Sequence, residues 1–69
     1  MTLTEIKQAI DNGKIVHWAN EGYLVFKDRI GQYLIGWNHG GHNAHYIGLT
    51  HLDGQTLNGR EEQFFMLHN

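Results

Sequence analysis

The 69-residue chain contains no cysteine, proline or serine. Without cysteine there are no disulfides, no thiolate zinc site and no cysteine nucleophile. Without serine the usual serine triads are excluded as well, and Thr50 and Thr56 have no base set beside them in sequence to activate a hydroxyl. Without proline there is no sign of a rigid linker or a proline-rich arm. Charge is also sparse. Five basic residues (Lys7, Lys14, Lys27, Arg29, Arg60) face seven acidic ones, the formal net charge is −2, and neither sign is clustered. Phosphate-backbone binding draws on clustered Lys and Arg, so nucleic acid is not the expected partner. No apolar run approaches the roughly 20 residues of a membrane span, and the start MTLTEIKQ is not a secretory signal. The expectation is a cytoplasmic protein with no membrane contact.

A chain of this size makes one domain, residues 1–69, with one small core. Such a core supplies only about 3–5 kcal/mol, so packing, a metal or self-association has to support it.

Charge is most conspicuously absent between Ile30 and Leu52. That stretch, IGQYLIGWNHGGHNAHYIGLTHL, has no Asp, Glu, Lys or Arg but holds four of the six histidines. Near neutral pH its chemistry rests on imidazole, amide, hydroxyl and aromatic groups.

Local signals place the elements. Thr2 and Glu5 fit a capping box, and Leu3, Ile6, Ala9 and Ile10 follow at helical spacing. Gly13 after Asn12 suits a left-handed C-terminal cap, so residues 3–12 read as an amphipathic helix. Beyond it, short β-branched and aromatic runs alternate with turn residues. Strands are expected over residues 15–19, 23–27, 32–37 and 44–50, with turns at Asn20-Glu21-Gly22, Asp28–Gly31 and 38–43. Asp53-Gly54 and Asn58-Gly59 are further turns, and residues 63–67 suit a last strand or a helical turn. The fold class is α+β: one N-terminal helix packed on an antiparallel β-meander of four to five strands.

Period-two alternation sets Leu24 and Phe26 against Tyr23 and Val25, and Leu34 and Gly36 against Tyr33, Ile35 and Trp37. It also sets Tyr46, Gly48 and Thr50 against Ile47 and Leu49. Both faces of the sheet are then partly apolar, and one short helix covers only one of them. The other is a candidate contact surface.

Three groups of residues could carry chemistry. His39, His42 and His45 are spaced for a loop-borne divalent-metal site, with orienting groups from Asp28, Asp53 or backbone carbonyls. A histidine-containing polar loop with no metal is the preferred reading, so no cofactor is expected. His17 and His51 with a lysine are conceivable acid–base residues, but no spacing assembles them. Trp37, Asn38, His39, His42, Asn43 and Tyr46 form the preferred site, a neutral aromatic surface for a partner. Glu61-Glu62 read as a solvated turn, and no glycine pattern indicates a phosphate cradle.

Two stretches, Val16-His17-Trp18-Ala19-Asn20-Glu21-Gly22-Tyr23 and Gly48-Leu49-Thr50 through Asp53-Gly54-Gln55-Thr56-Leu57-Asn58-Gly59 to Glu61-Glu62 and Phe64-Phe65, resemble small bacteriophage- and prophage-encoded proteins. With the opening helix and Gln32-Tyr33-Leu34-Ile35, the likeness spans most of the chain and carries no catalytic motif. It implies expression in a bacterial host and, by analogy with anti-CRISPR and other anti-defence proteins, inhibition by occluding a host protein surface. The functional expectation is therefore a non-enzymatic protein-binding module acting on a host protein or complex. Divalent-metal binding and a homo-oligomeric structural role, such as a homodimer, are the alternatives.

Overall fold

The computed structural model describes residues 1–37 and 46–67. The helix α1 spans Leu3–Asp11, one residue shorter than the spacing suggests. Its start is the capping box expected from sequence. Thr2 Oγ1 accepts from the Glu5 amide at 3.2 Å, and Glu5 Oε1 accepts from the Thr2 amide at 2.8 Å. Its end is a Schellman motif. Gly13 stands at φ +77°, its N–H donates to Ile10 O, and the Lys14 N–H donates to Ala9 O.

Among the described residues five strands follow: β1 (Val16–Trp18), β2 (Asn20–Lys27), β3 (Tyr33–Trp37), β4 (Tyr46–Gly48) and β5 (Phe64–Phe65). They form one antiparallel sheet in the order β4-β3-β2-β1-β5. The fold is thus α+β, one helix on a five-stranded antiparallel sheet. The first four strands run as a meander. The fifth does not continue it but returns to the far edge, where His17 pairs with Phe65 and Trp18 with Phe64. Of the two readings of the tail the strand holds, as the two-residue β5, and a 3₁₀ turn (Glu61–Gln63) precedes it.

One turn is corrected. Asn20, Glu21 and Gly22 belong to β2, and the reversal falls on Ala19, at φ +65°. Such a backbone is unfavourable for alanine, so nothing in the sequence marks it. The Ala19 N–H donates to Gln63 O at 2.9 Å, which ties the turn to the returning tail. The pairing then jumps from His17↔Leu24 to Trp18↔Asn20, a bulge that absorbs the extra residues of β2. The first strand is also shorter than expected, since Ile15 lies outside it and is exposed. The fourth ends at Gly48, with Thr50 making an isolated bridge to Leu57, and Ala44 and His45 lie outside the described residues.

The core sits on one face of the sheet. Val16, Val25 and Ile35 pair in succession across β1, β2 and β3, and bury against Ile6 and Ala9 of α1. Leu49 and Phe64 complete the cluster, with Leu57 against it, so the chain between β4 and β5 also packs on this face. Asn58 secures that passage. Its side-chain amide donates to Gly48 O at 2.9 Å and Thr50 O at 3.4 Å, and its N–H donates to Leu49 O. Among the described residues, no helix is long and apolar enough to cross a membrane.

Candidate functional site

The other face of the sheet, opposite the core, is built by the alternate residues of the same strands. Register places His17, Leu24, Phe26, Leu34, Gly36, Tyr46 and Phe65 there: His17 pairs with Leu24 and Phe65, Phe26 with Leu34, and Gly36 with Leu24 and Tyr46. None of them belongs to the core cluster or lies against it. A sheet covered on one side normally shows polar residues on the other. None of these seven residues carries a fixed charge.

Its side chains pack on one another instead. The His17 ring stacks on Phe65 with centroids 5.4 Å apart, and Phe26 meets Tyr46 edge-to-face at 5.2 Å. A methyl group at Gly36 would overlap the Tyr46 ring and lie 3.1 Å from Phe26 Cε1, so the glycine is what lets these two rings close over the strand. His17 is buried, and its Nδ1 lies 3.1 Å from Tyr23 O, within the bulge between β1 and β2. Leu24, Phe26, Leu34 and Phe65 are half-buried, and Tyr46 remains 56% exposed.

A second aromatic row lies on the core side, where Trp18, Tyr23 and Trp37 contact edge-to-face with centroids 5.1 and 4.8 Å apart. Trp18 and Tyr23 pack against the core, whereas Trp37 closes over Gly22 at the sheet's end. The two described members of the expected site are therefore not neighbours on one surface. Trp37 pairs with Tyr23 on the core side, and Tyr46 pairs with Gly36 on the outer side. Asn38, His39, His42 and Asn43, and the proposed metal ligands His39, His42 and His45, lie outside the described residues. Among the described residues, no group of three His, Asp or Glu side chains is placed to hold a metal.

Polar chemistry concentrates at the opposite end of β2 and β3. Asp11 accepts from the Tyr33 hydroxyl at 2.8 Å and from Lys27 Nζ at 3.3 Å. The Tyr33 hydrogen bond, and then Lys27, hold the Asp11 carboxyl below its ordinary range, while the same Asp11 contact raises both Tyr33 and Lys27. The Lys7 and Lys27 ammoniums stand 5.2 and 5.4 Å from the centre of the Tyr33 ring. This cluster joins helix to sheet through residues distant in sequence, and no motif foreshadows it.

The outer face could have been assembled from the alternation of Leu24, Phe26 and Leu34. Phe65 and His17 join it only through the return of β5 to β1, which no local pattern encodes. Compared with protein-family models, curated proteins and solved structures, the chain finds no match in any of the three.

Proposed function

We propose that this chain is a non-enzymatic protein-binding module that works through the outer face of its sheet. The observation that carries the reading is the uncharged surface of Leu24, Phe26, Leu34, Tyr46 and Phe65, packed outside the core. Contiguous apolar surface of this kind marks interaction sites, and desolvating neutral side chains costs far less than desolvating ions. Tyr46 is the natural anchor, because it offers a large ring with a polar tip and is more than half exposed. The phage-like sequence stretches add the specific form of the proposal: occlusion of a host protein surface in the bacterial cytosol, an inhibitory action of the anti-CRISPR type.

The test uses a photo-crosslinking phenylalanine analogue at position 46, and separately at position 37, in the full chain expressed in a bacterial host. The expected result is one discrete adduct from position 46, competed away by unlabelled wild type but not by Tyr46→Lys. Adducts from position 37 alone would place the contact on the core side and overturn the outer-face assignment. An adduct with the mass of two chains would make the occupant a second copy.

A further inference from the structure

We infer that the cleft between α1, the start of β3 and the chain after β4 is a binding site for a small carboxylate that carries an aliphatic group. This inference is independent of the protein-binding reading. The cleft encloses about 420 Å³, and its walls include Lys7, Tyr33, Leu34, Leu49, His51 and Leu52. Ligand sites typically enclose about 300–1,000 Å³, are mainly apolar, and have a few polar groups that fix orientation.

The charge at this site is unbalanced. Lys7, Lys27 and Asp11 meet around Tyr33, two cations to one anion. Asp11 is engaged by Lys27 and by the Tyr33 hydroxyl, and Lys27 forms the ion pair with it at 3.3 Å. Among the described residues, Lys7 has no carboxylate within ion-pair distance, and its ammonium stands 5.2 Å from the centre of the Tyr33 ring. Its ammonium therefore stands on the cleft wall with donors available. Asp28 and Asp53, in the two turns flanking the cleft, do not line it. Each turns its carboxylate onto main-chain N–H groups of its own loop: Ile30 and Gln32 for Asp28, Gln55 and Thr56 for Asp53.

One ammonium near an exposed leucine at the rim selects the ligand. Phosphate recognition favours several cationic or N–H donors converging on one group, whereas a single lysine suits a monovalent carboxylate. Leu52 then receives an aliphatic side chain. Leu52 is fully solvent-exposed at the rim, at 108% relative exposure, so a ligand seated there would cover apolar surface now facing water. A free acylated amino acid and the C-terminal residue of a peptide present the same chemistry.

The experiment is a titration of the ¹⁵N-labelled full chain with N-acetyl-leucine, N-acetyl-leucinamide and a tetrapeptide ending in leucine with a free carboxylate. Saturable shifts are expected at the amides of Lys7, Gln32, Tyr33 and Thr50 to Leu52, with half-saturation by the acid at about 1–5 mM, as befits so small a ligand. The amide and the Lys7→Met variant should bind at least about tenfold more weakly, and Lys7→Arg should retain binding. A peptide tighter than the free acid identifies a chain terminus as the ligand, and equal affinity identifies the small acid. Either supports the site. Equal binding of acid and amide, retention of binding by a folded Lys7→Met, or no saturable shift below about 20 mM would overturn it.

Discussion

His17 donates a hydrogen bond from Nδ1 to the carbonyl oxygen of Tyr23 at 3.1 Å, because a carbonyl can only accept. The bulge between β1 and β2 leaves that carbonyl beside the ring, and Phe65 stacks on the imidazole. The neutral ring therefore carries its proton on Nδ1 and its lone pair on Nε2. A two-dimensional ¹⁵N spectrum of the imidazoles should show this tautomer for His17, and the opposite tautomer would refute the assignment. His17→Ala should cost about 2–3 kcal/mol in urea unfolding, from an orphaned carbonyl and a lost stack.

Gly36 and Tyr46 are coupled. In the wild-type background, Gly36→Ala pushes the Tyr46 ring off the strand and should cost about 1 kcal/mol, with loss of the ring-current shifts on Phe26. With Tyr46→Ala already in place, the added methyl meets no tyrosine ring and a strand glycine has been removed. The same substitution should then be neutral, or stabilising by about 0.5 kcal/mol. Additive effects in this double-mutant cycle would show that the glycine is not there for the ring.

Asp53 governs part of the acid response. Its carboxylate accepts from Thr56 Oγ1 at 2.6 Å and from the Thr56 and Gln55 amides, both at 2.9 Å. The Thr56 hydroxyl first, and then these amides, draw its pKa from 3.8 down to about 2. The folded state thus favours the ionised form, and the resulting stability is complete above the ordinary value. It falls away as pH drops from about 4 to about 2. The stability difference between wild type and Asp53→Ala should be constant above about pH 5 and shrink across that window. A gap that stays constant down to pH 2 would mean the loop does not sense this proton.

Trp18 packs its indole edge against Gly59, and its Nε1 is buried with no hydrogen-bond partner among the described residues. Trp18→Phe removes that unsatisfied donor along with some ring area, so it should cost less than about 1 kcal/mol. Trp18→Ala empties the site and should cost about 3–5 kcal/mol. Gly59→Ala would set a methyl 2.7 Å from Nε1 and should destabilise the wild type more than it does the Trp18→Phe variant. Thermal unfolding of the five proteins, the double variant of Trp18→Phe and Gly59→Ala included, checks the ordering.

Features set by a few adjacent residues were legible in the sequence. The capping box of Thr2 and Glu5, the glycine cap at Gly13 and the turn closed by Gly31 each depend on side chains or backbone freedom within one turn of chain. The alternation of Leu24 and Phe26 against Tyr23 and Val25 was legible for the same reason. What escaped depends on distant partners. Ala19 takes a left-handed backbone where its N–H meets the tail at Gln63, and the local sequence points to Asn20-Glu21-Gly22 instead. Trp37 and Tyr46 looked like one surface because both flank one loop in sequence, yet pairing with Tyr23 and with Gly36 sends them to opposite sides.

The position of β5 has a consequence for how the protein is made. The first four strands can zip in order as they leave the ribosome, each pairing with the one before it. The outer side of β1, however, stays open until Phe64 and Phe65 arrive, 46 residues after Trp18. For most of synthesis His17 and Trp18 therefore edge an incomplete, apolar sheet, the kind of unpaired edge that recruits other chains. Loss of the last few residues would make that transient state permanent, so a short C-terminal truncation should do more harm to solubility than an equally long deletion within a surface loop.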